Sequence, residues 1–119
     1  MPKVLVIEDA TALLKAWVQK FQDQGFEVLI ANNKLSALET AARNRPDLVV
    51  IDLPERESEE TIKKLREFKW GYQVPVLFLN SWEDPEIFIQ YSEGLDDHLA
   101  YNWSLQEVVE RAKSKLAIA

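Results

Sequence analysis

Two patterns of apolar and polar residues alternate along the chain. The first is a short, nearly continuous apolar run, which is typical of a strand buried on both faces of a parallel sheet. The clearest such run is followed by a carboxylate at Asp52. We expect five strands, at 3–7, 26–30, 48–51, 74–79 and 98–100.

The second pattern fills the segments that follow the strands. There, apolar residues recur every three or four positions, as they do on the buried side of an amphipathic helix. Five helices are expected. Their predicted core residues are, helix by helix, Leu13, Leu14, Trp17, Val18 and Phe21; Leu35, Leu38, Ala41 and Ala42; Ile62, Leu65 and Phe68; Ile87, Phe88 and Tyr91; and Leu105, Val108, Val109, Ala112 and Leu116.

Capping residues predict where several of these helices begin and end. Ser104 and Glu107 have the spacing of a capping box, and Asp84-Pro85 is typical of an N-cap followed by a first-turn proline. The other predicted boundaries are Asp9 or Thr11 at the start of the first helix, Gly25 at its end, and Ser58 at the start of the third helix, after a loop at 53–57.

Five strand–helix pairs with short connections predict an α/β fold. Such connections require parallel strands joined by right-handed crossovers, with helices on both faces of a doubly wound sheet. We find no repeat and no linker, so residues 1–119 are expected to form a single domain. In this architecture, ligands bind at the carboxyl ends of the strands.

Composition and charge narrow the classes of function. The chain has 119 residues, a formal net charge of -6 and no basic run, so we expect no direct binding to nucleic acid. It has no cysteine, which excludes disulfides and thiolate chemistry. The apolar runs are shorter than a membrane span, and we expect a cytoplasmic protein.

Three carboxylates follow two of the buried strands. Glu8 and Asp9 end the first strand, and Asp52 ends the third, so neighbouring parallel strands would bring them to one edge of the sheet. Carboxylate oxygens with water suit Mg²⁺ or Mn²⁺, and a carboxylate beside such an ion can attack a phosphoryl group. Asp52 is the candidate nucleophile, and Glu8 and Asp9 are candidate metal ligands. The alternative is an acidic strand edge that binds nothing.

Four segments in this order resemble the receiver domain of two-component response regulators: VLVIED at 4–9, PDLVVIDL at 46–53, PVLFL at 75–79 and GLDDHL at 94–99. The resemblance implies a flavodoxin-like sheet of strand order 2-1-3-4-5. It also implies that Glu8 and Asp9 help bind Mg²⁺ and that Asp52 accepts a phosphoryl group from a histidine kinase or phosphotransfer protein. The backbone carbonyl of Pro54 would be a further metal ligand.

Three positions depart from the pattern of the family. Asn80 stands where receivers usually carry a Ser or Thr that bonds the phosphoryl group, and Tyr101 stands where a lysine usually pairs with it. His98 occupies the position of the switching aromatic residue. Because a switch requires contacts that differ between its two states, these departures predict impaired or altered switching.

The leading hypothesis is therefore a receiver-like signalling domain rather than an enzyme, with Asp52 as phosphoacceptor. One alternative is a degenerate receiver that binds partners without phosphorylation, and another is an engineered sequence on this fold. In the family, partners commonly meet the surface formed by the fourth helix, the fifth strand and the fifth helix. The candidate interface residues there are Trp82, Tyr91, His98 and Tyr101.

Overall fold

The computed structural model describes residues 1–79, 97–98 and 104–117. Its strands are β1 (Lys3–Glu8), β2 (Glu27–Ala31), β3 (Leu48–Asp52), β4 (Val76–Phe78) and β5 (Asp97–His98). Its helices are α1 (Thr11–Asp23), α2 (Lys34–Asn44), α3 (Glu55–Leu65) and α4 (Leu105–Lys115), with a 3₁₀ turn at Gly71–Gln73. The helix predicted around Ile87, Phe88 and Tyr91 lies outside these residues, so α4 corresponds to the fifth predicted helix.

All strand pairs are parallel, and the strand order is β2-β1-β3-β4-β5. The predicted flavodoxin-like, doubly wound sheet is therefore confirmed. β1 lies between β2 and β3, so the first and third strands of the chain are neighbours, and their carboxyl ends lie side by side.

Helices cover both faces of the sheet, and each face has its own core. On the α1/α4 face, Trp17 and Phe21 of α1 and Val108, Val109 and Ala112 of α4 are buried against the strands. On the α2/α3 face, the buried helix residues are Ala37, Ala41, Ile62 and Leu65. Because successive strand side chains point to opposite faces, each strand supplies alternate residues to the two cores.

The first helix ends as predicted but begins differently. Gly25 has φ +87°, and the N–H groups of Gly25 and Phe26 donate to the carbonyls of Gln22 and Phe21, which is a Schellman ending. The N-cap is Ala10, and no side chain caps the helix, so the prediction of Asp9 or Thr11 as cap was wrong. Thr11 is already helical, one position too late to act as a cap.

The third helix begins earlier than predicted. The predicted loop at 53–57 and the predicted N-cap Ser58 were wrong, because α3 starts at Glu55 directly after Pro54. Pro54 has φ -50°, which suits the residue before a first helical turn. Ser58 is instead buried inside the helix, and its hydroxyl donates to the carbonyl of Leu53 at 3.0 Å.

The predicted core side of the second helix was correct at Ala41 and Leu38 but wrong at Leu35 and Ala42. Ala37 and Ala41 are buried, whereas Leu35 is 67% exposed and Ala42 is also exposed. The small alanines lie where α2 approaches the sheet and α3, and Leu38 is partly buried beside them. The prediction followed residue hydrophobicity, but close approach of a helix to a sheet favours small side chains on the contact side.

The last described helix is capped as predicted, because the Ser104 hydroxyl accepts a hydrogen bond from the Glu107 N–H at 3.1 Å. Lys113 of this helix donates to the Gln24 side chain at the end of α1, 3.2 Å away, which links the two helices of one face. Among the helices described here, none has the length and apolar character needed to cross a membrane.

Candidate functional site

The register of β1 and β3 places two acidic residues next to each other. Glu8 lies opposite Asp52 at the carboxyl ends of these parallel strands. Glu8 follows Val4 and Val6 at intervals of two, so it points to the α1/α4 face like them. Asp52 follows Leu48 and Val50 of β3 to the same face by the same spacing. Strand alternation thus brings both carboxylates to one side of one sheet edge.

The Glu8 side chain is only 2% exposed and receives two N–H groups. The indole N–H of Trp17 donates to Oε1 at 3.2 Å, and the backbone N–H of Ala10 donates to Oε2 at 3.3 Å. A buried carboxylate needs such donors because it has lost its hydration. Each oxygen of Glu8 therefore has a protein partner.

Burial and the neighbouring acid raise the pKa of Glu8 to about 8. Loss of hydration is the largest cause, followed by a hydrogen bond to the Asp52 side chain and by repulsion from its charge. The N–H groups of Ala10 and Trp17 act in the opposite direction, because they stabilise the ionised form. At neutral pH without a cation, Glu8 therefore retains its proton.

The third predicted carboxylate is placed differently. Asp9 is exposed just beyond the end of β1. Within residues 1–79, 97–98 and 104–117, no three acidic or histidine side chains are grouped closely enough to hold a metal ion together. The structure therefore brings Glu8 and Asp52 together but does not group Asp9 with them.

The two backbone carbonyls that follow Asp52 accept hydrogen bonds from Ser58 of α3. The Pro54 carbonyl accepts the N–H of Ser58 at 2.9 Å as the first hydrogen bond of α3. The Leu53 carbonyl accepts the Ser58 hydroxyl. Because α3 begins so soon after β3, both carbonyls that follow Asp52 already have helical partners.

Sequence reasoning missed two side chains at this edge. Trp17 was predicted only as a core residue, and Ser58 only as a helix cap, yet Trp17 binds Glu8 and Ser58 binds the turn after Asp52. A partial signal existed for Trp17, since its predicted stripe lies on the helix that follows Glu8 directly. Which residue its N–H meets depends on the side chain's direction, and periodicity alone does not fix that direction.

Several predicted positions lie outside the described residues: Asn80, Trp82, Tyr91 and Tyr101. The backbone of His98 belongs to β5, where His98 lies opposite Phe78 of β4. Of the predicted site residues, the structure therefore describes Glu8, Asp9, Asp52 and Pro54, together with the backbone of His98.

A parallel sheet of this strand order, with paired acids at the carboxyl ends of β1 and β3, is the fold that the four sequence segments predicted. The chain belongs to the family of response regulator receiver domains, whose family model matches residues 4–113.

Known proteins with similar sequences or structures agree with this assignment. The chain is 32% identical over 117 residues to the transcriptional regulatory protein PrrA of Mycobacterium tuberculosis, covering 97% of this chain and 50% of that protein. It spans about half the length of the curated relatives it matches. The receiver domain of Francisella response regulator 1452 superimposes with a TM-score of 0.81 at 25% identity, covering 98% of each chain.

A further structure shares the fold at lower identity. The receiver domain of the sensor histidine kinase PA1611 from Pseudomonas aeruginosa has a TM-score of 0.82 and 21% identity, with 98% of each chain covered. That domain carries a magnesium ion coordinated in its active site cleft.

Proposed function

We propose that this receiver domain accepts a phosphoryl group on Asp52 from a histidine kinase or phosphotransfer protein. The observation that carries the proposal is the register pair Glu8–Asp52 at the carboxyl edge of the sheet in a chain of this family. Asp52 ends β3 and is partly exposed, so a phosphorylated partner has access to its carboxylate. Glu8 behind it is buried and fixed by two N–H groups.

The transfer needs Asp52 as an ionised nucleophile. One carboxylate oxygen attacks the phosphorus of a phosphohistidine and forms an O–P bond, while the P–N bond breaks and its electron pair returns to the imidazole nitrogen. The product is an aspartyl phosphate on Asp52. Without a bound cation Glu8 retains its proton, and a cation that binds Glu8 would displace this proton, because a carboxyl group must be deprotonated to act as a metal ligand.

The donor set fits a magnesium ion. Two oxygen-bearing carboxylates, Glu8 and Asp52, lie side by side, and Mg²⁺ is commonly held by one or two carboxylates plus water. We propose these two residues as ligands, with Asp9 contributing from the adjacent exposed position and the Pro54 carbonyl as a weaker candidate. When bound, the ion would offset the negative charge of the two carboxylates and the incoming phosphoryl group.

A second candidate function is a receiver that binds partners without phosphorylation. The Leu53 and Pro54 carbonyls, just before α3, each accept a hydrogen bond from Ser58, which favours this alternative because it makes these oxygens less available to a metal. The residue types Asn80 and Tyr101 support altered switching in either case. A partner would then meet the surface that includes β5 and α4.

The test is phosphoryl acceptance by the purified protein. We expect acetyl phosphate with Mg²⁺ to add one phosphoryl group to the wild-type protein by intact mass, and Asp52→Asn to abolish the adduct. Asp47→Asn is the matched control, because Asp47 lies at the opposite end of β3, where it accepts the Lys3 N–H at 2.7 Å. A wild-type protein without adduct would overturn phosphoacceptance and favour the interaction module.

Switching is tested separately with beryllium fluoride and Mg²⁺, which mimic the acyl phosphate. We expect backbone amide shifts near Asp52 in NMR spectra but few shifts in β5 and α4, because the usual Ser/Thr and Lys contacts are replaced. Extensive shifts throughout α4 would contradict impaired switching while leaving phosphoacceptance intact.

A further inference from the structure

The indole of Trp17 connects the first helix to the acidic pair. Trp17 is fully buried on α1, and its Nε1–H lies 3.2 Å from Glu8 Oε1. Helical side chains lean toward the N-terminal end of their helix, and α1 starts beside the end of β1. A long side chain at this position therefore reaches back to the last residue of the strand.

The hydrogen bond from Trp17 supplies Glu8 Oε1 with a donor, which an apolar side chain packed at the same place could not do. The Ala10 N–H serves Oε2, and it belongs to the turn directly after β1. Oε1 accepts the indole N–H of Trp17, which belongs to the α1/α4 core, and a leucine or valine in place of Trp17 would offer no donor. An unpartnered carboxylate oxygen at such a depth is costly, so its side chain would turn toward solvent or Asp52.

We propose that Trp17 is a positioning residue for the acidic site, and that its indole N–H holds the Glu8 carboxylate in the orientation that presents it, beside Asp52, to a divalent cation. This inference rests on the proposed function, because it assigns Trp17 a role in the magnesium site proposed above. Trp17 itself touches neither cation nor phosphoryl group.

Trp17 packs in a row of aromatic rings, so substitutions can test its N–H group separately from the packing of its ring. Trp17 lies 6.1 Å from Phe21 between ring centroids, and Phe21 lies 5.0 Å from Phe26 edge to face. Trp17→Phe keeps an aromatic ring in this row and removes the N–H. Phe21→Leu disturbs the same row without touching Glu8, so it serves as the control for packing.

The first experiment needs no metal. The protein has four tryptophans, and the NMR indole signal that disappears in Trp17→Phe belongs to Trp17. In Glu8→Leu, we expect that signal to move upfield and its N–H to exchange faster with solvent, because the hydrogen-bond acceptor of the indole is removed. The signal should be unchanged in Asp47→Asn. An unchanged Trp17 signal in Glu8→Leu overturns the proposal.

The second experiment measures Mg²⁺ binding by amide shifts. Outer partners of metal ligands typically contribute about 10- to 100-fold to affinity, so we expect Trp17→Phe to weaken Mg²⁺ binding by about that factor. Phe21→Leu should retain wild-type affinity. Equal affinity of Trp17→Phe and wild type overturns the positioning role.

The two experiments distinguish the two proposals. A wild-type protein that does not respond to Mg²⁺ overturns the metal site and any role of Trp17 in cation binding. Its metal-free indole signal still shows whether Trp17 holds Glu8. If Trp17→Phe does not fold, the Glu8→Leu comparison in the intact aromatic core decides the hydrogen bond on its own.

Discussion

Glu8 is an acidic residue that is buried in the interior of the protein. It ends a strand of buried apolar residues, accepts N–H groups from Trp17 and Ala10, and faces a second carboxylate across the register of β1 and β3. The two N–H groups stabilise the ionised form of Glu8, whereas burial and the neighbouring Asp52 destabilise it. The balance raises the pKa of Glu8 to about 8.

This pKa predicts that stability falls as pH rises. The folded protein holds the Glu8 proton up to pH about 8, whereas the unfolded chain loses it near the ordinary pKa of 4.5. Between these values the folded state binds more protons, so its free energy of unfolding decreases with pH, by no more than about 1.4 kcal/mol per pH unit. Glu8→Gln should flatten this dependence, measured by urea unfolding of metal-free protein.

The matched control is Glu60→Gln. Glu60 is exposed, and a hydrogen bond from Lys34 lowers its pKa below the ordinary value of 4.5, so the midpoint of its titration lies below the range in which Glu8 acts. This variant should keep the wild-type slope. Equal slopes in wild type and Glu8→Gln would show that Glu8 is not the group that retains the proton.

At the residue scale, the sequence predicted which strand ends meet but not how their side chains are held. The apolar runs located β1 and β3, and the resemblance to receiver domains implied that these two strands are neighbours. Because neighbouring parallel strands end at one edge, Glu8 and Asp52 were expected to lie close together. The separate position of Asp9 and the contact of Trp17 depend on side-chain direction after the strand ends. No local pattern encodes that direction.

Among the elements, α1 and α3 both begin without a side-chain cap. Ala10 and Pro54 are their N-cap residues, and neither has a side-chain oxygen that could accept an N–H group of the first turn. For this reason the cap preferences misplaced both helix starts. The ends were easier to predict at Gly25, because a φ of +87° is rarely adopted by other residues.

A missing cap predicts a stabilising substitution at Ala10. Its φ of -89° and ψ of 110° already suit an N-cap, so Ala10→Ser should raise the free energy of unfolding by about 1 kcal/mol. Thermal unfolding checks this expectation. Ala12 is the second residue of α1. Ala12→Ser should slightly lower the free energy of unfolding, because Ser is a poorer helix former than Ala. The same sign for both variants would contradict the capping argument.

The connection from α3 to β4 predicts a destabilising substitution at Gly71. A Cβ there would lie 2.2 Å from the Leu65 carbonyl oxygen, which is backbone and cannot turn away. Arg66 further ties this segment by donating to the carbonyls of Gly71 and Val74 at 2.7 and 2.6 Å. Gly71→Ala should therefore cost about 1–3 kcal/mol in urea unfolding.

An exposed residue of the same connection supplies the comparison. Lys69→Ala should change stability by less than about 0.5 kcal/mol, as surface substitutions usually do. If Gly71→Ala is equally mild, the segment can move away from α3, and the close approach is not required by the fold.

For the whole molecule, the two cores lie on opposite faces of one sheet, and the same strands supply both. Ile62 is buried on the α2/α3 face and Leu77 on the α1/α4 face. Ile62→Ala and Leu77→Ala should each lower the free energy of unfolding by about 2–5 kcal/mol. Because the strands are shared, each variant should still unfold in one transition.

Coincident urea curves from tryptophan fluorescence and far-ultraviolet circular dichroism would check this cooperativity. If Leu77→Ala separates the two curves, one face unfolds before the other, and the shared strands do not couple them.

At this largest scale the fold was fully predictable in its strand order. The apolar runs and short connections required parallel crossovers, and the four sequence segments specified the order. The helix contacts were less predictable. Ala37 and Ala41 of α2 are buried although Leu35 is more hydrophobic, because the narrow space between the helix and the sheet favours small side chains.

The alternation of side chains along β1 and β3 also limits how this protein can change through evolution. Glu8 and Asp52 share a face because each follows its strand's core residues at even spacing. Loss or gain of one residue within either strand would move every later side chain to the other face, exchanging the two cores and separating the acids. Single substitutions in β1 or β3 can therefore be tolerated during evolution, whereas the insertion or deletion of one residue within either strand cannot.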